Sequence, residues 1–167
     1  MTDPRPSWAE YFLGIAEAVS ARGDCTRRQV GAVLVDPVTK DLIETGYNGP
    51  PSGVPGCLSA GACPRGRHYS IGNTLQVLHG TIKTKDGWCA CGNPWPCDEA
   101  VPPGSSYDTG PGACIAIHAE ANALLRAGKK SRGALLYLTT EPCGGCMKLI
   151  RGAGVVHVIW PGGNLVL

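Results

Sequence analysis

Apolar and polar positions alternate regularly at the two ends of this chain and lose all regularity in the middle. Ser7-Trp8-Ala9-Glu10 forms a capping box, and Trp8, Phe12, Ile15 and Val19 follow at helical spacing, a stripe read as core. Gly23 is a natural stop for that helix. Val30 to Val35 is an apolar run of strand length. Asp36 to Asp41 is a polar turn, and Leu42 to Tyr47 reads as the returning strand of a hairpin. Further on, His118 to Arg126 is rich in alanine and leucine and predicts a helix closed by Gly128. Ala134 to Thr139 is a strand, and Pro142 suits the first turn of a helix running through Ile150. Val155 to Trp160 is a β-branched strand that contains His157, read as a strand residue rather than a ligand; Pro161 to Leu167 is given no element. Helix, strand, helix, strand in the last third favours an α/β fold, with some parallel pairing and helices on the sheet faces.

From Asn48 to Gly112, glycine, proline and cysteine replace the periodic pattern. A structureless loop of that length is unusual inside a compact domain, so cysteine–metal bonds are the expected organiser. The 167 residues suit one domain, 1–167, with a Gly/Pro/Cys-rich insertion at about 58–110. A net charge of +2, with cations only in short pairs such as Arg27-Arg28 and Lys129-Lys130, shows no footprint for a long nucleic acid. No apolar run approaches the roughly 20 residues of a membrane span. The first residues lack the apolar core of a signal peptide, so a cytoplasmic protein is expected. Nine cysteines invite a disulfide reading. The odd count and the absence of a leader favour reduced thiols and metal binding instead.

Chemistry concentrates in His118-Ala119-Glu120 and Pro142-Cys143-Gly144-Gly145-Cys146. One imidazole and two thiolates are three ligands for zinc and leave a fourth position open, the mark of a catalytic site; zinc then makes water a nucleophile near neutral pH. Cys143 and Cys146, three apart, project from one face of the second helix. If that helix starts near Pro142, both thiols lie in its first turn, where free amides and the helix dipole favour thiolates. His118 and Glu120 share a cavity only if the first helix begins between them. Glu120 is then the acid/base that carries protons to the ring nitrogen and the leaving amine. A C-x-x-C pair alone also suits a structural knuckle, and a lone glutamate is usually a solvated surface group. The joint pattern H-x-E…P-C-x-x-C is the signature of zinc-dependent nucleobase deaminases.

Arg28-Gln29-Val30-Gly31-Ala32-Val33-Leu34-Val35, Gly46-Tyr47-Asn48-Gly49-Pro50-Pro51-Ser52-Gly53, Cys114-Ile115-Ala116-Ile117-His118-Ala119-Glu120-Ala121-Asn122-Ala123 and Leu136-Tyr137-Leu138-Thr139-Thr140-Glu141-Pro142-Cys143 resemble the deoxycytidylate (dCMP) deaminase family over roughly residues 8–57 and 111–160. The resemblance implies a three-layer α/β/α cytidine deaminase-like fold with a mixed central sheet, carrying here a Cys-rich insertion. It implies hydrolysis of dCMP to dUMP and ammonia, a homohexamer, and response to dCTP and dTTP near Gly46–Gly49. It also implies that Asn48 bonds the sugar 3′-hydroxyl and that the Ala119 backbone contacts the pyrimidine. Cys25 and Cys57 match positions where some members hold a structural zinc. Histidines often precede the family cysteines matching Cys57 and Cys114; Gly56 and Ala113 stand there instead. The expectation is that inserted cysteines take over, with Cys25, Cys57, Cys63, Cys89, Cys91, Cys97 and Cys114 sharing one or two closed zinc sites.

A monophosphate needs cations or amides. Arg27 and Arg28 are the side-chain candidates, with Ser105 to Gly110 as a source of hydroxyls and amides; His68 and His79 receive no role. The alternatives are deamination of another cytosine nucleoside or nucleotide, of a modified dCMP, or of a tRNA adenosine. A non-enzymatic zinc scaffold or nucleotide sensor remains the non-catalytic alternative.

Overall fold

The computed structural model of the chain describes residues 4–25, 28–59 and 114–167, together with 72, 74–77, 80–83, 85, 87–89 and 92–94. It divides into two compact units, Met1–Val54 with Ala116–Leu167, and Pro55–Ile115.

The first unit contains α1 (Trp8–Ser20), β1 (Gly31–Val35), β2 (Leu42–Tyr47), α2 (Ala119–Ala127), a 3-10 turn (Gly128–Ser131), β5 (Leu135–Leu138), α3 (Gly144–Gly152), β6 (His157–Trp160) and β7 (Gly163–Val166). Its five strands lie in the order β2-β1-β5-β6-β7. Only β5 and β6 run parallel; the other neighbours are antiparallel, so the sheet is mixed, as expected. The pleat sends alternate side chains to opposite faces. Val33, Val35 and Tyr137 pack with Phe12 and Ala16 of α1, while Ala32, Leu34, Leu136 and Leu138 pack with Ala119 and Ala123 of α2 and Ile150 of α3. One helix covers one face and two cover the other, which is the α/β/α arrangement. All five residues of β1 are buried, which explains its continuous apolar run.

The capping box at Ser7 forms as read, with Glu10 as its partner. The core stripe needs correction at one position: Phe12 and Ala16 are buried, but Trp8 is 56% exposed and stacks on Phe12 from outside. At the chain's end, Pro161-Gly162 forms a turn with Gly162 at φ +87°, and β7 pairs back on β6. Proline followed by a positive-φ glycine suits a type II turn. This strand was absent from the sequence reading.

In the second unit, β3 (Thr74–Val77) pairs antiparallel with β4 (Gly80–Lys83), from Thr74 opposite Lys83 to Val77 opposite Gly80. The stretch read as having no long periodic segment therefore contains a short antiparallel strand pair. Trp88 bridges to Pro94, and the Cys89 amide donates to the Asn93 carbonyl at 2.8 Å.

Candidate active site

Two helix entrances build the site. His118 is the N-cap of α2, with extended angles of φ −66° and ψ 152°. Because the chain becomes helical only at Ala119, His118 and Glu120 are not splayed as they would be in mid-helix. Cys143 is the N-cap of α3, at φ −71° and ψ 165°, so Pro142 lies outside the helix and only Cys146 sits in its first turn. The expected start near Pro142 is thus two residues early. The consequence is favourable, since the Cys143 sulfur accepts the Cys146 amide at 3.4 Å.

The His118 Nδ1 atom lies 3.7 Å from the Cys143 sulfur and 3.3 Å from that of Cys146, and all three ligand atoms fall within 4.8 Å of one another. Zinc–sulfur bonds of about 2.3 Å and a zinc–nitrogen bond of about 2.0 Å, at tetrahedral angles, separate nitrogen and sulfur by about 3.5 Å. The three residues therefore fit zinc in both donor chemistry and spacing. Burial, the Glu120 carboxylate and Cys143 together push the Cys146 thiol well up. A coordinating dication reverses that preference, because it removes the proton from the thiol outright. Glu120 is only 4% exposed, and its carboxylate faces Cys146. A buried carboxylate needs an opposite charge or hydrogen-bond donors near it. A cation between His118 and the two sulfurs would supply that need.

The remaining candidates divide. Asn48 is 8% exposed, and its side-chain amide is engaged on both sides. Oδ1 accepts the Val30 amide at 2.8 Å, and Nδ2 donates to the Arg28 carbonyl at 2.8 Å. Asn48 thus ties the end of β2 to the approach to β1. Arg28 itself is exposed. Ala119 is fully buried in the first turn of α2. Cys57 and Cys89 are buried, while Cys25 and Cys114 are half-buried. Cys63, Cys91, Cys97, Arg27, His68, His79 and Ser105 to Gly110 lie outside the described residues.

Three residues that shape the site were passed over as chemistry. A Cβ on Gly46 would meet the Ala119 carbonyl at 2.2 Å and the Ala123 nitrogen at 2.5 Å, so glycine there lets α2 press onto β2. The Asn122 side chain donates to the Tyr47 carbonyl at 2.8 Å. Thr139, at the end of β5, receives the Gly31 amide on its hydroxyl at 3.1 Å and returns its own amide to the Gly31 carbonyl at 3.1 Å. All three stood in stretches read as strand or helix and quoted for family likeness, and none was given a part in positioning the site.

A mixed sheet with an imidazole and two sulfurs gathered where two helices begin, beside a buried acid, defines an α/β protein with a cluster that could hold zinc. Residues 6–161 match the model of the cytidine and deoxycytidylate deaminase zinc-binding region. The chain belongs to that family. It is 40% identical to the deoxycytidylate deaminase of Mycobacterium phage D29 over 158 residues, covering 94% of this chain and 96% of the phage protein. It is 34% identical to the Schizosaccharomyces pombe deoxycytidylate deaminase, of which it spans only 37%. Among solved structures, the dCMP deaminase of cyanophage S-TIM5 in complex with dCMP and dUMP aligns with a TM-score of 0.52 at 25% identity, over 95% of this chain and 83% of that one.

Proposed function

We propose that this protein is a zinc-dependent hydrolase that converts dCMP and water to dUMP and ammonia. The reading is carried by one observation: three ligand atoms within 4.8 Å of one another, beside a buried glutamate. The substrate class is supported by the phage D29 relative, matched along almost its whole length, and by the cyanophage enzyme crystallised with dCMP and dUMP. His118, Cys143 and Cys146 would hold the metal, and zinc there would supply a water whose pKa is lowered toward neutrality. Glu120 accepts a proton from the attacking water as the water oxygen bonds to C4 of the cytosine ring. It passes that proton to N3, then takes the second from the new C4 hydroxyl and gives it to the amine, so that the C4–N bond breaks, the C4 carbonyl forms and ammonia leaves. Burial keeps the Glu120 carboxylate away from bulk water, so the protons stay on this route. Asn48 takes the sugar 3′-hydroxyl with the N–H and lone pair its own hydrogen bonds leave over. Ala119 offers backbone to the pyrimidine, and Arg27 and Arg28 meet the phosphate.

Ammonia release from dCMP, cytidine, dCTP and a tRNA hairpin distinguishes the substrate classes; fastest turnover of dCMP is the expected result, and a preference for any other overturns the assignment. Glu120→Gln keeps the shape and the metal but removes the proton carrier, so kcat should fall about a hundredfold to ten-thousandfold. Undiminished turnover removes Glu120 from the mechanism.

Cys25, Cys57, Cys63, Cys89, Cys91, Cys97 and Cys114 are read as donors for additional structural zinc, supported by the burial of Cys57 and Cys89. Elemental analysis giving a single zinc per chain refutes that part. Thiolate ligands need a reducing compartment, so the cytoplasm is the proposed location. Effector response to dCTP and dTTP and assembly as a hexamer are checked by turnover with each nucleotide and by sedimentation.

A further inference from the structure

We propose that Asn122 is a positioning residue that sets the metal-binding end of α2 against the substrate end of β2; the inference rests on the function proposed above. Asn122 reaches both sides of the site. Its backbone amide donates to the His118 carbonyl at 3.0 Å, and its side-chain amide donates to the Tyr47 carbonyl at 2.8 Å. His118 is the metal histidine, and Tyr47 immediately precedes Asn48, the sugar-side residue. A second tie lies close by: Gly49 and Ile117 exchange amide–carbonyl bonds at 3.1 and 2.8 Å, pairing the residue after Asn48 with the residue before His118. Gly46 completes the arrangement, since only a residue without Cβ lets the first turn of α2 come near enough for the Asn122 amide to reach.

Asn48 and His118 are therefore held in register by bonds at Tyr47, Gly49, Ile117 and the His118 carbonyl, and Asn122 supplies the shorter of two side-chain bonds from α2 to β2, the other being Arg126 to the Thr45 carbonyl at 3.4 Å. Loosening it leaves the ligand set and the substrate contacts individually intact but lets them drift relative to each other. Reaction rates are sensitive to such drift, and a misplacement of about 1 Å can cost about a hundredfold.

The experiment uses Asn122→Ala and Asn122→Asp in the full zinc-loaded chain. The aspartate keeps the shape but offers no hydrogen to the Tyr47 carbonyl, and the alanine serves if the aspartate does not fold. Hydrogen exchange of the Gly49 and Ile117 amides is read first, because it requires no turnover. Protection at these two amides should fall about tenfold, the loss of roughly one hydrogen bond's net stabilisation. With dCMP as substrate, kcat per bound zinc should fall about ten- to a hundredfold, while KM stays within about twofold. Unchanged exchange, unchanged kcat per bound zinc, or a raised KM with kcat intact overturns the proposal. A wild-type protein inactive on dCMP sinks the function proposed above instead, and the exchange measurement still decides whether Asn122 ties the two elements.

Discussion

The entrance of α1 and the paired entrances of α2 and α3 solve the same problem in opposite ways. Every helix begins with unsatisfied amides. At α1, the Ser7 hydroxyl accepts the Glu10 amide at 3.2 Å, and the Glu10 carboxylate takes the Ser7 amide at 2.7 Å. Each group serves the helix. At α2, the N-cap His118 makes no capping bond with its side chain, and at α3 the cap is a cysteine whose sulfur accepts one amide at 3.4 Å. Neither residue type is favoured at such a position. These two entrances give up local stabilisation in order to point an imidazole and two sulfurs at a common centre. Among the described α-helices, the reciprocal cap therefore belongs to the one that carries none of His118, Cys143 and Cys146.

The contrast is testable, beginning with its largest consequence. Cys146→Ser replaces a thiolate with a hydroxyl that stays protonated, and should empty the site of zinc and abolish turnover; full zinc content by elemental analysis would contradict the ligand assignment. Gly46→Ala forces backbone atoms of α2 away from β2. Overpacking of that kind should cost about 2–3 kcal/mol in urea unfolding. A neutral result would mean that the two elements do not press together as described.

Smaller effects separate stability from function more cleanly. In metal-free protein, His118→Asp places a favoured cap at α2 and should raise stability by about 1 kcal/mol while destroying zinc binding. Destabilisation there would show that His118 supports its helix after all. Ser7→Ala, conversely, should lower stability by about 1 kcal/mol and leave kcat untouched. This last effect depends on pH. The Ser7 hydroxyl and then the Ser7 backbone amide hold the Glu10 carboxyl below its ordinary value of 4.5. A carboxyl depressed in the folded state stabilises the fold above its unfolded pKa and ceases to as pH falls through the folded value. The gap between wild type and Ser7→Ala should therefore narrow in acid. A constant gap would exclude the carboxylate's share.

Trp8 and the last strand show where one-dimensional patterns mislead. Trp8 occupies the same helical stripe as Phe12, yet it stacks on Phe12 and stays exposed while Phe12 packs against Val33, Val35 and Tyr137 of the sheet. Periodicity reports which face a residue shares, not how far the opposing surface extends. β7 is four residues long, Gly163–Val166, with most of its side chains exposed, so it carries no apolar signature. The Pro161-Gly162 pair was the available clue, since it marks a turn, and a turn after a strand invites a partner. Asn122 and Thr139 escaped notice for another reason. Both act through backbone carbonyls or amides of distant residues, and no spacing rule links residue 122 to 47 or 139 to 31.

Sequence alone determined the order of helices and strands from α1 to β6 in the α/β body, the capping box at Ser7, and the cluster His118, Cys143 and Cys146 that could hold a metal. Each rests on interactions between near neighbours or on a residue chemistry that spacing preserves. Tertiary structure decided that α2 and α3 bring their first residues together, that Gly46 is required for the approach of α2, and that Asn48 is fastened to the segment entering β1. Those outcomes depend on strands pairing across long separations in the chain, which place groups within hydrogen-bonding distance irrespective of their order.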